Sequence, residues 1–119
     1  MNMAQDFLPL MAELLTHARA AAAKGEVPVA AMVLGADGAR LSLATNQVEA
    51  RHNGLLHAEM VALQMAVEKT GQKFLTGATL LVTLEPCALC AAAISALRIK
   101  TLVIGGYDQK SGGVFSGAR

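Results

Sequence analysis

Thr83-Leu84-Glu85-Pro86-Cys87-Ala88-Leu89-Cys90 is the stretch on which the reading of this chain turns. It closes an apolar run, Ala78 to Leu84, with the length and composition of a buried strand. Pro86 cannot extend a central strand, and it fits the first turn of a helix. That helix is predicted from about Cys87 to Leu97. Two cysteines three residues apart at a helix start both stand near its positive end, where the dipole favours thiolate over thiol. Thiolates bind zinc. Read alone, Cys87 to Cys90 also fits a redox pair, which occupies the same strand-to-helix setting, and it fits two buried, inert cysteines.

A second segment shifts that balance. His57-Ala58-Glu59 also opens a predicted helix, which runs over His57 to Lys69 and ends at Gly71. Catalytic zinc takes three protein ligands and keeps a fourth position for water. With two cysteines and three histidines in the chain, a closed four-cysteine site is excluded, and His57, Cys87 and Cys90 are the candidate ligands of one zinc ion. A closed structural site using His17 or His52 as fourth ligand is the competing arrangement. Glu59 alone would read as a carboxylate complementing the helix dipole. Two residues after the histidine, it is the candidate catalytic group, placed to take a proton from water and pass it to a ring nitrogen and a leaving amine. The joint pattern H-x-E with P-C-x-x-C is the signature of zinc-dependent deaminases acting on nucleobases.

The flanking sequence supplies the frame. Residues 6 to 24 are predicted helical, because Phe7, Leu10, Met11, Leu14, Leu15, Ala18 and Ala22 recur at three- and four-residue spacing. Asp6 is the expected N-cap and Gly25 the stop. Pro28 to Leu34 is a short apolar strand, Asp37-Gly38 a hairpin turn, and Arg40 to Thr45 the partner strand. Asn46 to Leu56, with Asn53-Gly54, is a loop, and Thr101 to Gly105 is the last strand. The order α-β-β-α-β-α-β implies an α/β fold with a mixed sheet of about four strands and helices on its faces. The 119 residues suit one domain spanning 1–119.

Composition narrows the function classes. The chain is 54% hydrophobic and only 3% aromatic, with no Trp, so stacking platforms for single strands are scarce. A net charge of +1 with scattered basic residues leaves polymer and small-molecule substrates both open. No basic start typical of a signal peptide is visible, and no apolar run reaches the roughly 20 residues of a membrane helix, so a cytoplasmic location and no membrane partner are expected.

With those residues placed, the chain resembles the bacterial tRNA-specific adenosine deaminases of the cytidine deaminase superfamily, over about residues 10 to 117. Glu26-Val27-Pro28-Val29 resembles the family's segment before the first strand, Asn46 stands at its base-contacting asparagine, and His57–Glu59 and Thr83–Cys90 match its two metal motifs. Gly106-Tyr107-Asp108-Gln109-Lys110-Ser111-Gly112 resembles the loop after the fourth strand. The resemblance implies a three-layer α-β-α fold, one zinc per chain between two helix N-termini, and a homodimer. It implies hydrolysis of adenosine to inosine at the wobble position of a tRNA anticodon loop, with the base flipped into the pocket. It also implies Asn46, Val27, Val29 and Glu85 as substrate contacts, the last through its carbonyl, and Asp108 against the RNA backbone.

Two departures stand out. The loop before His57 reads Arg51-His52-Asn53-Gly54-Leu55-Leu56, where the family typically has Asp-Pro-Thr-Ala. The family's usual C-terminal strand and helix are also not found in the sequence, so Thr101 to Gly105 is expected to be an apolar edge. The competing functions are a free-base deaminase for guanine or cytosine, a single-stranded DNA deaminase, and a non-catalytic zinc-bearing RNA-binding scaffold. A carboxylate beside an open coordination position argues against the last.

Overall fold

The structure is a computed structural model describing residues 3–106, with side chains from Phe7 onward. Its elements are α1 (Met3–Ala23), β1 (Ala30–Leu34), β2 (Arg40–Thr45), α2 (Ala58–Thr70), β3 (Thr79–Val82), α3 (Ala88–Ala96) and β4 (Thr101–Ile104). The expected order and all seven elements are present. Helix α1 begins before Asp6, which therefore lies inside it rather than at its N-cap. β2 has the expected bounds, and β1, β3 and β4 are shorter than the stretches expected for them. β1 starts at Ala30 because Pro28 sits in a tight turn, with the Val29 N–H donating to the Val27 carbonyl at 2.8 Å.

The sheet has the order β2-β1-β3-β4. β1 pairs antiparallel with both β2 and β3, and β3 pairs parallel with β4 through the α3 crossover. The mixed sheet expected from the alternation is thus found. Gly38, at φ 87°, makes the β1–β2 turn that Asp37-Gly38 announced.

Two cores explain the layers. Ala31, Val33, Leu80 and Val82 face α2 and α3, packing with Val61, Ala62, Ala66 and Ile94. Ala30, Met32, Leu34 and Leu81 face the other way, against Leu14 and Ala18 of α1. β1 is buried at all five positions, which is why its sequence reads as a continuous apolar run without alternation. Among the described residues β4 is an edge strand of the sheet, and its four residues are half-buried rather than exposed.

Candidate active site

The fold brings together the starts of α2 and α3 on one side of the sheet. His57 is the N-cap of α2 and Cys87 the N-cap of α3, both in extended backbone conformation. Neither side chain caps its helix. A Ser, Thr, Asn or Asp at an N-cap stabilises a helix by about 1 kcal/mol, and both positions forgo that contribution. Their side chains turn instead toward each other. The backbones still close the first helical turns, with the Val61 N–H on the His57 carbonyl and the Ala91 N–H on the Cys87 carbonyl.

His57 Nδ1 lies 3.5 Å from Sγ of Cys87 and 3.5 Å from Sγ of Cys90. The three ligand atoms all fall within 4.8 Å of one another, in the one such cluster among the described residues. Tetrahedral zinc, with bonds of about 2.3 Å to sulfur and 2.0–2.1 Å to nitrogen, requires a nitrogen–sulfur separation of about 3.5–3.6 Å. The donor set therefore fits zinc in both chemistry and spacing. His17 and His52 are not in the cluster, so the four-ligand structural site considered from sequence does not form.

Burial pushes the Cys90 thiol well up, and the Glu59 carboxylate and the Cys87 thiol beside it act in the same direction. The helix start alone does not make this side chain a thiolate. A cation held by the three side chains would offset that burial and favour the thiolate.

Glu59 stands in the first turn of α2 and is 4% exposed. Burial raises its carboxyl above the ordinary value, partly offset by its own backbone amide, by His57 and by the Cys90 thiol. A carboxyl so placed holds a proton more readily than a surface glutamate, which suits a group that must accept and return one.

His57, Glu59 and Cys87 open into a cavity of about 260 Å³ lined also by Val27, Val29, Asn46 and Glu85. Every substrate-contact candidate on described residues thus reaches the same cavity. Asp108 lies outside the described residues. Glu85 is buried, with its N–H held by the Gly106 carbonyl at 2.7 Å. Val48, Glu49, Gly54 and Leu84 complete the lining and were not read as substrate contacts from sequence. They sit in an irregular loop and at the end of β3, where no spacing rule assigns a facing direction. Glu26 was read only as part of a family-like segment, yet it binds Asn46 and the loop behind it.

Residues 4–106 match the family model of the cytidine and deoxycytidylate deaminase zinc-binding region. The tRNA-specific adenosine deaminase of Agrobacterium fabrum is 46% identical over 105 residues, covering 88% of this chain and 68% of that protein. A solved chain from studies of A-to-I editing by tRNA:A34 deaminases at the wobble position superposes with a TM-score of 0.88 at 43% identity, over 93% of this chain and 80% of that one. The guanine deaminase of Bacillus subtilis superposes with a TM-score of 0.79 at 27% identity, over 90% and 66%.

Proposed function

The chain belongs to the cytidine and deoxycytidylate deaminase zinc-binding family and, within it, to the tRNA-specific adenosine deaminases, and from that premise we propose that it hydrolyses adenosine to inosine at the wobble position of a tRNA anticodon. The observation that carries the reading is the meeting of His57, Cys87 and Cys90 at ligand spacing, with Glu59 and Asn46 on the same cavity.

We assign His57, Cys87 and Cys90 as zinc ligands and Glu59 as the catalytic acid–base. Zinc held by these three side chains would supply Lewis-acid chemistry, lowering the pKa of a water toward neutrality. Glu59 takes a proton from the attacking water and delivers it to the ring nitrogen next to the reacting carbon. It then carries the remaining proton of the added hydroxyl to the amino group, the carbon–nitrogen bond breaks, and ammonia leaves as the oxo group forms. Net, one water is consumed, one ammonia is released, and an oxo group replaces the amine. Val27 and Val29 form an apolar wall for the flipped base, Asn46 offers its amide to the base edge, and the Glu85 carbonyl accepts from the departing amine. We also assign Asp108 to the RNA backbone.

A homodimer is part of the same proposal. Only Cys90 and Ile94 of α3 are buried, and the exposed side carries Ala88, Leu89, Ala92, Ser95 and Ala96 without a charge. An uncharged helix face of this kind is expected to be covered by protein, and a second copy is the occupant we assign. No described helix is long and apolar enough to cross a membrane. We place the protein in the cytoplasm, where thiols stay reduced and free for metal, and read the chain as one deaminase domain.

The test is product analysis by mass spectrometry on an adenosine-containing tRNA anticodon stem-loop, a single-stranded DNA oligonucleotide, guanine and cytosine. Conversion of the stem-loop adenosine to inosine is expected. Turnover confined to a free base would replace this reading with the free-base one.

A further inference from the structure

Glu26 does not line the cavity that holds Glu59. It lies behind it, on a separate hollow shared with His17, Lys24, Thr45 and Asn46. Its carboxylate accepts three hydrogen bonds. The Glu49 N–H donates to Oε1 at 3.0 Å, the Ala50 N–H to Oε2 at 2.7 Å, and Asn46 Nδ2 to Oε1 at 3.3 Å.

The chemistry of these partners has one consequence for Asn46. A carboxylate offers only acceptors, so the end of the amide turned toward it is the NH₂. The Asn46 oxygen has no hydrogen-bond partner among the described residues, although the residue is buried. No buried side-chain oxygen or nitrogen among the described residues is sealed without a partner. The oxygen is therefore left reachable for a ligand. The same carboxylate ties down Glu49 and Ala50, and with them the loop whose Val48 and Glu49 line the cavity.

We infer that Glu26 is a positioning residue that fixes which end of the Asn46 amide acts as donor and which as acceptor toward a purine nucleoside, an inference that rests on the deaminase reading above. Glutamine in its place keeps the size but brings an NH₂ of its own. Either end of the Asn46 amide can then face residue 26, and one of the two loop N–H groups loses its acceptor.

The test combines exchange and kinetics. In the wild type, the Asn46 side-chain amide hydrogens exchange with solvent at least about tenfold more slowly than those of exposed Asn53; equal rates overturn the inference. In Glu26→Gln, with zinc content and circular dichroism matched to wild type, that protection is lost and single-turnover deamination of the stem-loop falls about tenfold. Placed on Asn46→Ala, the same substitution costs less than about twofold, because its effect runs through the missing amide. Additive losses overturn the inference, and so does unchanged amide exchange in Glu26→Gln, which decides the matter if Asn46→Ala is too slow to read. A wild type that turns over while either of these holds sinks the inference alone. A wild type without turnover on adenosine sinks the function, and the inference with it.

Discussion

Nδ1 of His57 and Sγ of Cys90 lie 3.5 Å apart although 33 residues separate them in the chain. One side chain is carried by the N-cap of α2 and the other by the first turn of α3. Their approach couples the metal site to the packing of both helices on the same sheet face. Removing a ligand is therefore expected to cost stability as well as metal. Cys90→Ser should lose stoichiometric zinc and melt at a lower temperature, and chelation of the wild type should lower its melting temperature likewise. At a free zinc concentration a hundredfold above the dissociation constant, binding contributes about 2.7 kcal/mol to folding. Calorimetry with and without chelator reads the shift. An unchanged melting temperature would show that the three groups do not share an ion.

Glu59 is expected to separate from the ligands in this respect. Glu59→Ala should retain zinc and the wild-type circular dichroism spectrum while deamination falls by about 10²–10⁴ or more. Metal analysis beside single-turnover rates gives the answer. Retained turnover would remove Glu59 from the chemistry.

Thr83 closes the junction between β3 and the site. Its Oγ1 accepts the buried Ala30 N–H at 3.1 Å, and its own N–H donates to the Ala30 carbonyl. Thr83→Val preserves shape and leaves the Ala30 N–H without its partner, so a loss of about 1–3 kcal/mol is expected in urea unfolding. A change below a few tenths would mean that the N–H finds another acceptor.

Gly105 follows β4 and lies against the same junction. A Cβ there would come 2.8 Å from the Thr83 carbonyl oxygen and 3.2 Å from Met11 Sδ. Backbone on one side leaves little room to yield, so Gly105→Ala is expected to cost about 1–3 kcal/mol through overpacking, read as a shifted denaturation midpoint.

The hydrogen bonds on Glu26, that from the Glu49 N–H foremost, hold its carboxyl below the ordinary value against an opposing contribution from burial. A carboxyl held lower in the folded than in the unfolded chain adds stability above its unfolded value and loses it as pH falls through the folded one. Stability should therefore drop more steeply with acid in the wild type than in Glu26→Gln. Parallel curves as pH falls from the ordinary carboxyl value to the lowered folded one would contradict the assignment.

Much of this was legible in the chain itself. The two metal motifs named the three side chains that the fold brings together at ligand spacing, because a histidine and a thiolate pair have few other joint uses at two helix starts. Periodicity found α1, apolar runs found β1 and β3, and turn and helix-start residues such as Asp37-Gly38 and Pro86 placed their neighbours. Asp6 misled because a residue able to cap can equally lie within a helix. The anionic state expected of Cys90 from its helix start is opposed by a burial that only the packed structure reveals. Glu26 was passed over for a similar reason. Its partners lie 20 to 24 residues away in an irregular loop, and no spacing rule connects them.

Zinc-edge X-ray absorption on the purified protein tests the central claim most directly. The expected result is one zinc per chain, with two sulfur neighbours at about 2.3 Å and nitrogen or oxygen neighbours at about 2.0–2.1 Å. In Cys87→Ser and in Cys90→Ser the zinc content should fall, and the zinc that is retained should show one sulfur neighbour. A shell of nitrogen and oxygen alone, or one unchanged by either substitution, would contradict the account.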